Sequence, residues 1–350
     1  MTVFNYSKIK KNKQFYLIAE IGVNHECSVP RAKKLILLAK KAGAHAAKFQ
    51  TYKANKIASK ESRAYWDTSK EKTKSQLELF SKFDKFNYKD YKILSTFCKK
   101  LKIDFLSTPF DLGAVDMINP LVPLFKISSS DITNVPLLRK ISSKGKPVLL
   151  STGGSNEQEI RFALKVLNSK KKLKIVLMHC ILNYPTKDRD ANLLMIEHLK
   201  NNFRGYPIGY SDHTLPNKDM SNITTAYLLG ANVIEKHFTN DKKKKGNDHY
   251  HSMNSDDLKM IIEKINQINK VLGKSKNKNF IKSEIKSRKN ARRGIFISKS
   301  IQKGERLDKS NLITLRPNIG ISAENWDKIL NKKAKKTLKT GTKLKWKNIR

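Results

Sequence analysis

The chain has 350 residues, enough to bury a large core, and carries 72 Lys and Arg against 30 Asp and Glu, a formal net charge of +42 at pH 7. Sixty of those basic residues are lysine, spread along the chain among many Ile and Asn instead of being gathered with aromatics into a stripe. That argues against a dedicated nucleic-acid binder and leaves only nonspecific, salt-sensitive adhesion to polyanions, while three scattered cysteines (Cys27, Cys98, Cys180) exclude a disulfide framework. No apolar run approaches the ~18 residues needed to span a bilayer. The polar, lysine-rich start lacks the apolar core of a signal peptide, so a cytoplasmic protein is expected.

Eight short β-rich runs alternate with helical patterns: Phe15–Gly22, His45–Thr51, Asp104–Phe110, Leu124–Ser130, Pro147–Gly153, Lys174–Cys180, Pro207–Thr214 and Ala231–Thr239. The clearest helix runs from Pro30, suited to a first turn, through Leu35, Ile36, Leu38 and Ala39 to a stop at Gly43. Ser255 is predicted to cap a last helix whose apolar face is Leu258, Ile261, Ile262, Ile265 and Ile268. Eight β/α units predict a (β/α)8 TIM barrel over residues 1–273, with its site at the carboxyl ends of the strands. An open doubly wound sheet is the alternative, but no Gly-rich phosphate fingerprint follows the first strand. Residues 274–290, rich in Lys, Ser and Asn, are expected to be a linker. Residues 291–350 read as a small β-rich domain containing Gly294–Ser298 and Leu312–Arg316.

Two of the barrel strands end in histidine, in Gly209-Tyr-Ser-Asp-His213 and Ile234-Glu-Lys-His237. Consecutive parallel strands joined by a helix bring such ends to one sheet edge, where neutral imidazoles suit a divalent ion. A lone histidine there would more often be a satisfied core residue. Two at matching ends, with Ser211 and Glu235 two residues earlier on the same faces, point to a metal pair. Lys48 and Lys126 also fall near strand ends, beside hydroxyls and without acidic neighbours in sequence. Buried lysines are costly unless they are paired or bind an anion, so a phosphate or carboxylate pocket is expected. His179 and Cys180 are adjacent in a strand, hence on opposite faces, and cannot act as a nucleophile pair.

These stretches resemble the N-acetylneuraminate (sialic acid) synthase family, in chain order and over nearly the whole length. The matching segments are Ala19-Glu-Ile-Gly-Val-Asn-His25, Lys48-Phe-Gln50, Ser107-Thr-Pro-Phe110, Lys126-Ile-Ser-Ser129, Ser151-Thr-Gly153, Gly209-Tyr-Ser-Asp-His-Thr214 and Ile234-Glu-Lys-His-Phe-Thr239. Arg316-Pro-Asn-Ile-Gly-Ile-Ser322 is similar to the motif of the family's antifreeze-like (SAF) domain. The resemblance implies metal-dependent condensation of phosphoenolpyruvate with an N-acetylmannosamine-type amino-sugar aldehyde. The product is a nine-carbon 2-keto-3-deoxy acid, with a relative such as legionaminic or pseudaminic acid as the alternative. It assigns Lys48, Thr108, Lys126, Ser129, Ser151 and Ser211 to phosphoenolpyruvate, and Gln50, Tyr184, Asp248 and Arg316 to the acceptor. His213 and His237 take the metal, with Mn²⁺ expected and Mg²⁺ or Co²⁺ as alternatives. Glu20, Lys48 and Asp131 are the implied catalytic residues, and a domain-swapped homodimer would bring Arg316 in from a partner chain.

Departures fall on the acceptor side. Asp131 is one methylene shorter than the family's glutamate, Leu182 stands where an asparagine is usual, and nothing in residues 55–90 matches. Two other readings use the same residues: a metal hydrolase, which needs a third ligand that His249 or His251 could supply if their loop folds back, and a polyanion-binding protein on a relic barrel.

Overall fold

The computed structural model describes residues 2–246 and 248–350. The chain divides into two compact units, Met1–Leu272 and Gly273–Arg350. In the first, the strands are β1 (Tyr16–Gly22), β2 (Ala46–Thr51), β3 (Asp104–Pro109), β4 (Phe125–Ile127), β5 (Val148–Ser151), β6 (Ile175–His179), β7 (Ile208–Asp212) and β8 (Ala231–His237). All eight predicted strands are present, each trimmed at one or both ends. They pair in parallel in the order β3-β2-β1-β8-β7-β6-β5-β4, and β3 packs against β4 to bring the ring nearly to closure. The helices are α1 (Tyr6–Lys10), α2 (Val29–Ala42), α3 (Gln76–Phe83), α4 (Tyr88–Lys100), α5 (Leu112–Ile118), α6 (Val135–Lys144), α7 (Glu157–Leu167), α8 (Met195–Asn202), α9 (Ser221–Leu229) and α10 (Ser255–Leu272).

Period-two alternation sorts each strand between two cores. Leu17, Ala19 and Ile21 of β1 join the layer beneath the helices, whereas Tyr16 and Ile18 join the barrel interior with Ala46, Leu106, Leu149, Val176 and Val233. Two residues further along these inward rows the chemistry changes: Ile18 gives way to Glu20, Ala46 to Lys48, Leu106 to Thr108, Leu149 to Ser151 and Val233 to Glu235. The interior is therefore a greasy floor under a polar mouth.

The floor is sealed by the N-terminal segment, for which the sequence carries no strong signal. Phe4 and Ile9 enter the interior cluster, and Asp104 at the start of β3 accepts from the backbone N–H of Val3 (2.9 Å) and Phe4 (2.8 Å) and from the Tyr16 hydroxyl (2.8 Å). Helix α2 begins as expected, with Ser28 capping Arg31 N–H and Pro30 in the first turn, and stops at Gly43, whose φ of +104° only glycine adopts freely. Helix α10 differs by one residue. Asn254 Oδ1 accepts from the N–H of Asp256 and Asp257 (both 3.0 Å), so Asn254 is the cap and Ser255 is already helical.

The second unit contains α11 (Ile285–Ala291), the antiparallel pair β9 (Gly294–Ile297) and β10 (Leu312–Leu315), and α12 (Trp326–Ile329). It has its own buried cluster, including Ile295, Ile297, Leu307, Leu312, Ile329 and Leu344. No helix among the described residues is long and apolar enough to cross a membrane, and all three cysteines are free.

The turn after β1 carries a pH dependence. His25 stacks on Phe86 (centroids 4.3 Å apart, 15° between planes), and burial pushes it from 6.5 down to about 4. As pH falls below 6.5 the unfolded chain binds a proton that the folded His25 refuses. The His25 contribution to stability should therefore drop between pH 6.5 and 4 and level off below, by about 3 kcal/mol. Urea titrations across this window should show the drop in the natural chain and a smaller one in His25→Leu. Equal slopes would remove His25 as the cause.

Candidate active site

Strand register lays out the polar mouth. Glu20 pairs with Lys48 on β2 and with His237 on β8, and Ser211 on β7 pairs with Glu235 on β8. Lys48 Nζ lies 2.7 Å from Glu20 Oε2 and 3.7 Å from Glu235 Oε2, and donates to Thr108 Oγ1 (3.0 Å). Lys126 Nζ lies 3.2 Å from Glu235 Oε1, which also accepts from Ser211 Oγ (2.9 Å). These residues are almost wholly buried. The expectation that the two lysines lack acidic partners is thus corrected: pairing of β1 with β2 sets Glu20 beside Lys48, and the barrel interior brings Glu235 of β8 to Lys126 of β4.

The electrostatics follow from that packing. Burial alone would raise Glu235, but Lys126 and Lys48 outweigh it and hold the carboxyl at about 2. Glu20 goes the other way: burial raises it, Lys48 opposes, and the Glu235 charge adds to the rise. Lys48 is raised because Glu20 and Glu235 outweigh its desolvation. An ammonium has three N–H donors. Lys126 meets one carboxylate oxygen here and so keeps donor capacity for an anion. Ser151 Oγ is buried with no partner among the described residues, and Ser129 Oγ contacts Cys180 Sγ (2.9 Å) and accepts from Gly153 N–H (3.0 Å). A side chain at Gly153 would collide there, its Cβ falling 2.8 Å from Cys180 Sγ and 2.9 Å from Ser129 Oγ. Cys180 is a buried thiol, raised by desolvation, and unsuited to nucleophilic work.

Beside this cluster stands a corner of imidazoles. His213 and His237 have ring centroids 5.9 Å apart, as their strand ends suggested. His213 Nδ1 sits 2.7 Å from the Ile181 carbonyl oxygen, which fixes the Nδ1–H tautomer and leaves Nε2 as an acceptor. Burial, with His237 adding to it, holds His213 at about 3, so it is neutral at ordinary pH. His237 Nδ1 lies 3.3 Å from Asp248 Oδ2. Burial would raise Asp248, but His237 outweighs it and holds the carboxyl well below the usual range; in turn Asp248 overcomes the desolvation of His237 and raises it. Neutral imidazole and buried carboxylate form a donor set that fits a divalent ion.

A cavity of about 480 Å³ opens over this corner. Gln50, Asp131, Tyr184, His237 and Asp248 line it, with an apolar wall from Tyr52, Tyr65, Leu79, Phe80 and Phe83. Apart from Tyr52, that wall comes from residues 55–90, the stretch the sequence could not match, and its aromatics lack a regular period along the chain. Gln50 Nε2 donates to Glu20 Oε1 (3.2 Å), tying the wall to the lysine cluster. Asp131 accepts from Asn134 Nδ2 (2.9 Å), and burial raises its carboxyl, suiting it to proton transfer. Arg316 lies at the end of β10 in the second unit and is exposed. Glu235 was named in the sequence only as a neighbour of His237; its period-two spacing from that histidine is the signal that places it in the mouth.

By contrast, Asp212 and Lys236 occupy the opposite strand faces. Lys236 Nζ lies 2.7 Å from Asp212 Oδ2, and Asp212 Oδ1 accepts from Tyr210 and Thr214, a satisfied structural pair away from the mouth.

The sequence profile of the NeuB family matches residues 35–277 and that of the SAF domain residues 292–350. The chain is 42% identical to the N,N'-diacetyllegionaminic acid synthase of Campylobacter jejuni over 93% of its length and 98% of that relative. It is 37% identical to the synthase of the same name from Legionella pneumophila, covering 95% and 94% of the two chains. The crystal structure of the N-acetylneuraminic acid (sialic acid) synthetase of Leptospira borgpetersenii superposes with a TM-score of 0.70 at 32% identity, over 79% of this chain and 90% of that one.

Proposed function

Because the chain belongs to the NeuB family and carries a SAF domain, we propose that it joins phosphoenolpyruvate to an amino-sugar aldehyde, giving a nine-carbon 2-keto-3-deoxy acid and phosphate. The observation that carries this reading is one juxtaposition: a buried two-lysine cluster set against an imidazole corner, with a cavity of sugar size opening above them. Each half alone has other uses. Together they fit an anionic enol donor facing a carbonyl acceptor.

In this reading Lys48 and Lys126, with Thr108, Ser129, Ser151 and Ser211, bind the phosphate and carboxylate of phosphoenolpyruvate through charge-assisted hydrogen bonds. His213 and His237 hold the divalent ion, with Asp248 beside them. When bound, the ion supplies Lewis acidity toward the acceptor's carbonyl oxygen. C3 of the enol forms the new C–C bond to the aldehyde carbon. Water then adds at C2, and the C2–O bond to phosphate breaks. Asp131, on the cavity wall with a raised pKa, serves proton transfer, while Glu20 and Gln50 hold each other and Lys48 in register. Hydrophobic side chains on the wall exclude water from the site.

For the acceptor, the names of the two legionaminic acid relatives and the aromatic wall favour a mannose-configured sugar with two acetamido groups over N-acetylmannosamine, because the additional methyl group has apolar surface to cover. The test is phosphate release from phosphoenolpyruvate with each acceptor, with and without Mn²⁺, and the product's mass. Release should need both acceptor and metal, with kcat/KM at least about tenfold higher for the diacetamido sugar, the equivalent of ~1.4 kcal/mol. Equal kcat/KM would discard the acceptor preference. Acceptor-independent release would discard the condensation itself.

A further inference from the structure

We propose that His251 is a third imidazole ligand of the metal centre, alongside His213 and His237. The inference rests on the metal-dependent reading above and extends it to a residue that reading leaves idle. The segment after β8 turns back on the strand: Met253 N–H donates to the His237 carbonyl (2.8 Å) and Thr239 N–H to the Met253 carbonyl (2.9 Å). This return places His251 against His237, with centroids 4.8 Å apart and planes at 68°. Ligand atoms of His237, Asp248 and His251 all lie within 4.8 Å of one another.

His251 is completely buried, and among the described residues neither of its ring nitrogens has a hydrogen-bond partner. Leaving two polar atoms so is expensive, and contact with Tyr184 and Tyr250 satisfies neither of them. Its neighbour His249 shows what a structural histidine looks like here: Nδ1 lies 2.8 Å from Thr239 Oγ1 and Nε2 3.5 Å from Glu26 Oε1. Among the described residues His251 lacks such partners, and it faces the corner formed by His237 and Asp248. A third imidazole softens the donor set, which favours Co²⁺ or Zn²⁺ over Mn²⁺ relative to two imidazoles alone.

The test uses the full-length chain loaded with Co²⁺ and X-ray absorption at the cobalt edge, which counts coordinated imidazoles without any substitution. Three are expected. In parallel, His251→Leu removes a buried imidazole of similar volume. If His251 only packs, the variant keeps its Co²⁺ affinity. If it is a ligand, Co²⁺ affinity measured by chelator competition falls at least about tenfold, and Mn²⁺ affinity falls less. Melting of the metal-free variant reports its folding separately. Two imidazoles in the natural chain, or unchanged Co²⁺ affinity in a folded His251→Leu, would overturn the proposal while leaving the metal-dependent reading intact. Failure of the natural chain to bind Co²⁺, Zn²⁺ or Mn²⁺ at all would overturn both.

Discussion

His237→Ala is expected to lower divalent-metal affinity by about a hundredfold or more and to reduce phosphate release in proportion. Perturbing residues that merely orient a ligand already costs 10- to 100-fold in metal affinity, and removing a ligand costs no less. His237 is the hinge of the corner. It faces His213 and His251 on two sides and holds Asp248 at 3.3 Å. Its loss removes the group that keeps the Asp248 carboxyl well below the usual range, so a buried carboxylate is also left with less support. Some destabilisation follows, on the order of 1–3 kcal/mol. Titration with Mn²⁺ separates the two effects, because a folded variant can be titrated below its melting point. Full activity with an unaltered Mn²⁺ dependence would take His237 out of the site.

Lys126→Met should have two separable consequences. Glu235 would keep Ser211 and the more distant Lys48 but lose its nearest cation, 3.2 Å away. Breaking one side of a buried pair costs about 3–5 kcal/mol, so the single variant should melt markedly lower. This differs from what the sequence suggests, where Lys126 has no acidic neighbour and a bound anion is its expected partner. Adding Glu235→Gln removes the stranded charge and should recover most of the stability. The KM for phosphoenolpyruvate should stay raised by about tenfold or more in both variants, since neither restores the ammonium. Normal phosphoenolpyruvate kinetics in the double variant, with only the sugar KM affected, would reverse the assignment of the donor pocket.

Much of the architecture is legible in single segments. A strand's period of two and a helix's period near 3.6 are local, so the alternation of eight strands with helices is visible residue by residue. The same period places Lys48, Lys126, Ser151, Glu235 and His237 on inward rows just past the apolar floor, and the carboxyl ends of parallel strands all point one way. The N-terminal segment was less visible, because Phe4 and Ile9 matter only as a plug for a barrel that does not exist until the strands close.

What tertiary structure alone decided is who meets whom. Lys126 on β4, at one end of the strand order, and Glu235 on β8, near its middle, are separated by β5, β6 and β7, and only bending the sheet into a barrel brings their charges to 3.2 Å. Residues 55–90 carry no period that marks a wall, and Tyr65, Leu79, Phe80 and Phe83 become one by packing over the mouth. His251 sits in a loop without regular structure, so its approach to His237 depends on the backbone bonds that tie Met253 to His237 and Thr239. Periodicity determines which face of an element a side chain occupies; partners distant along the chain are determined by ring closure and loop return, which no local pattern encodes.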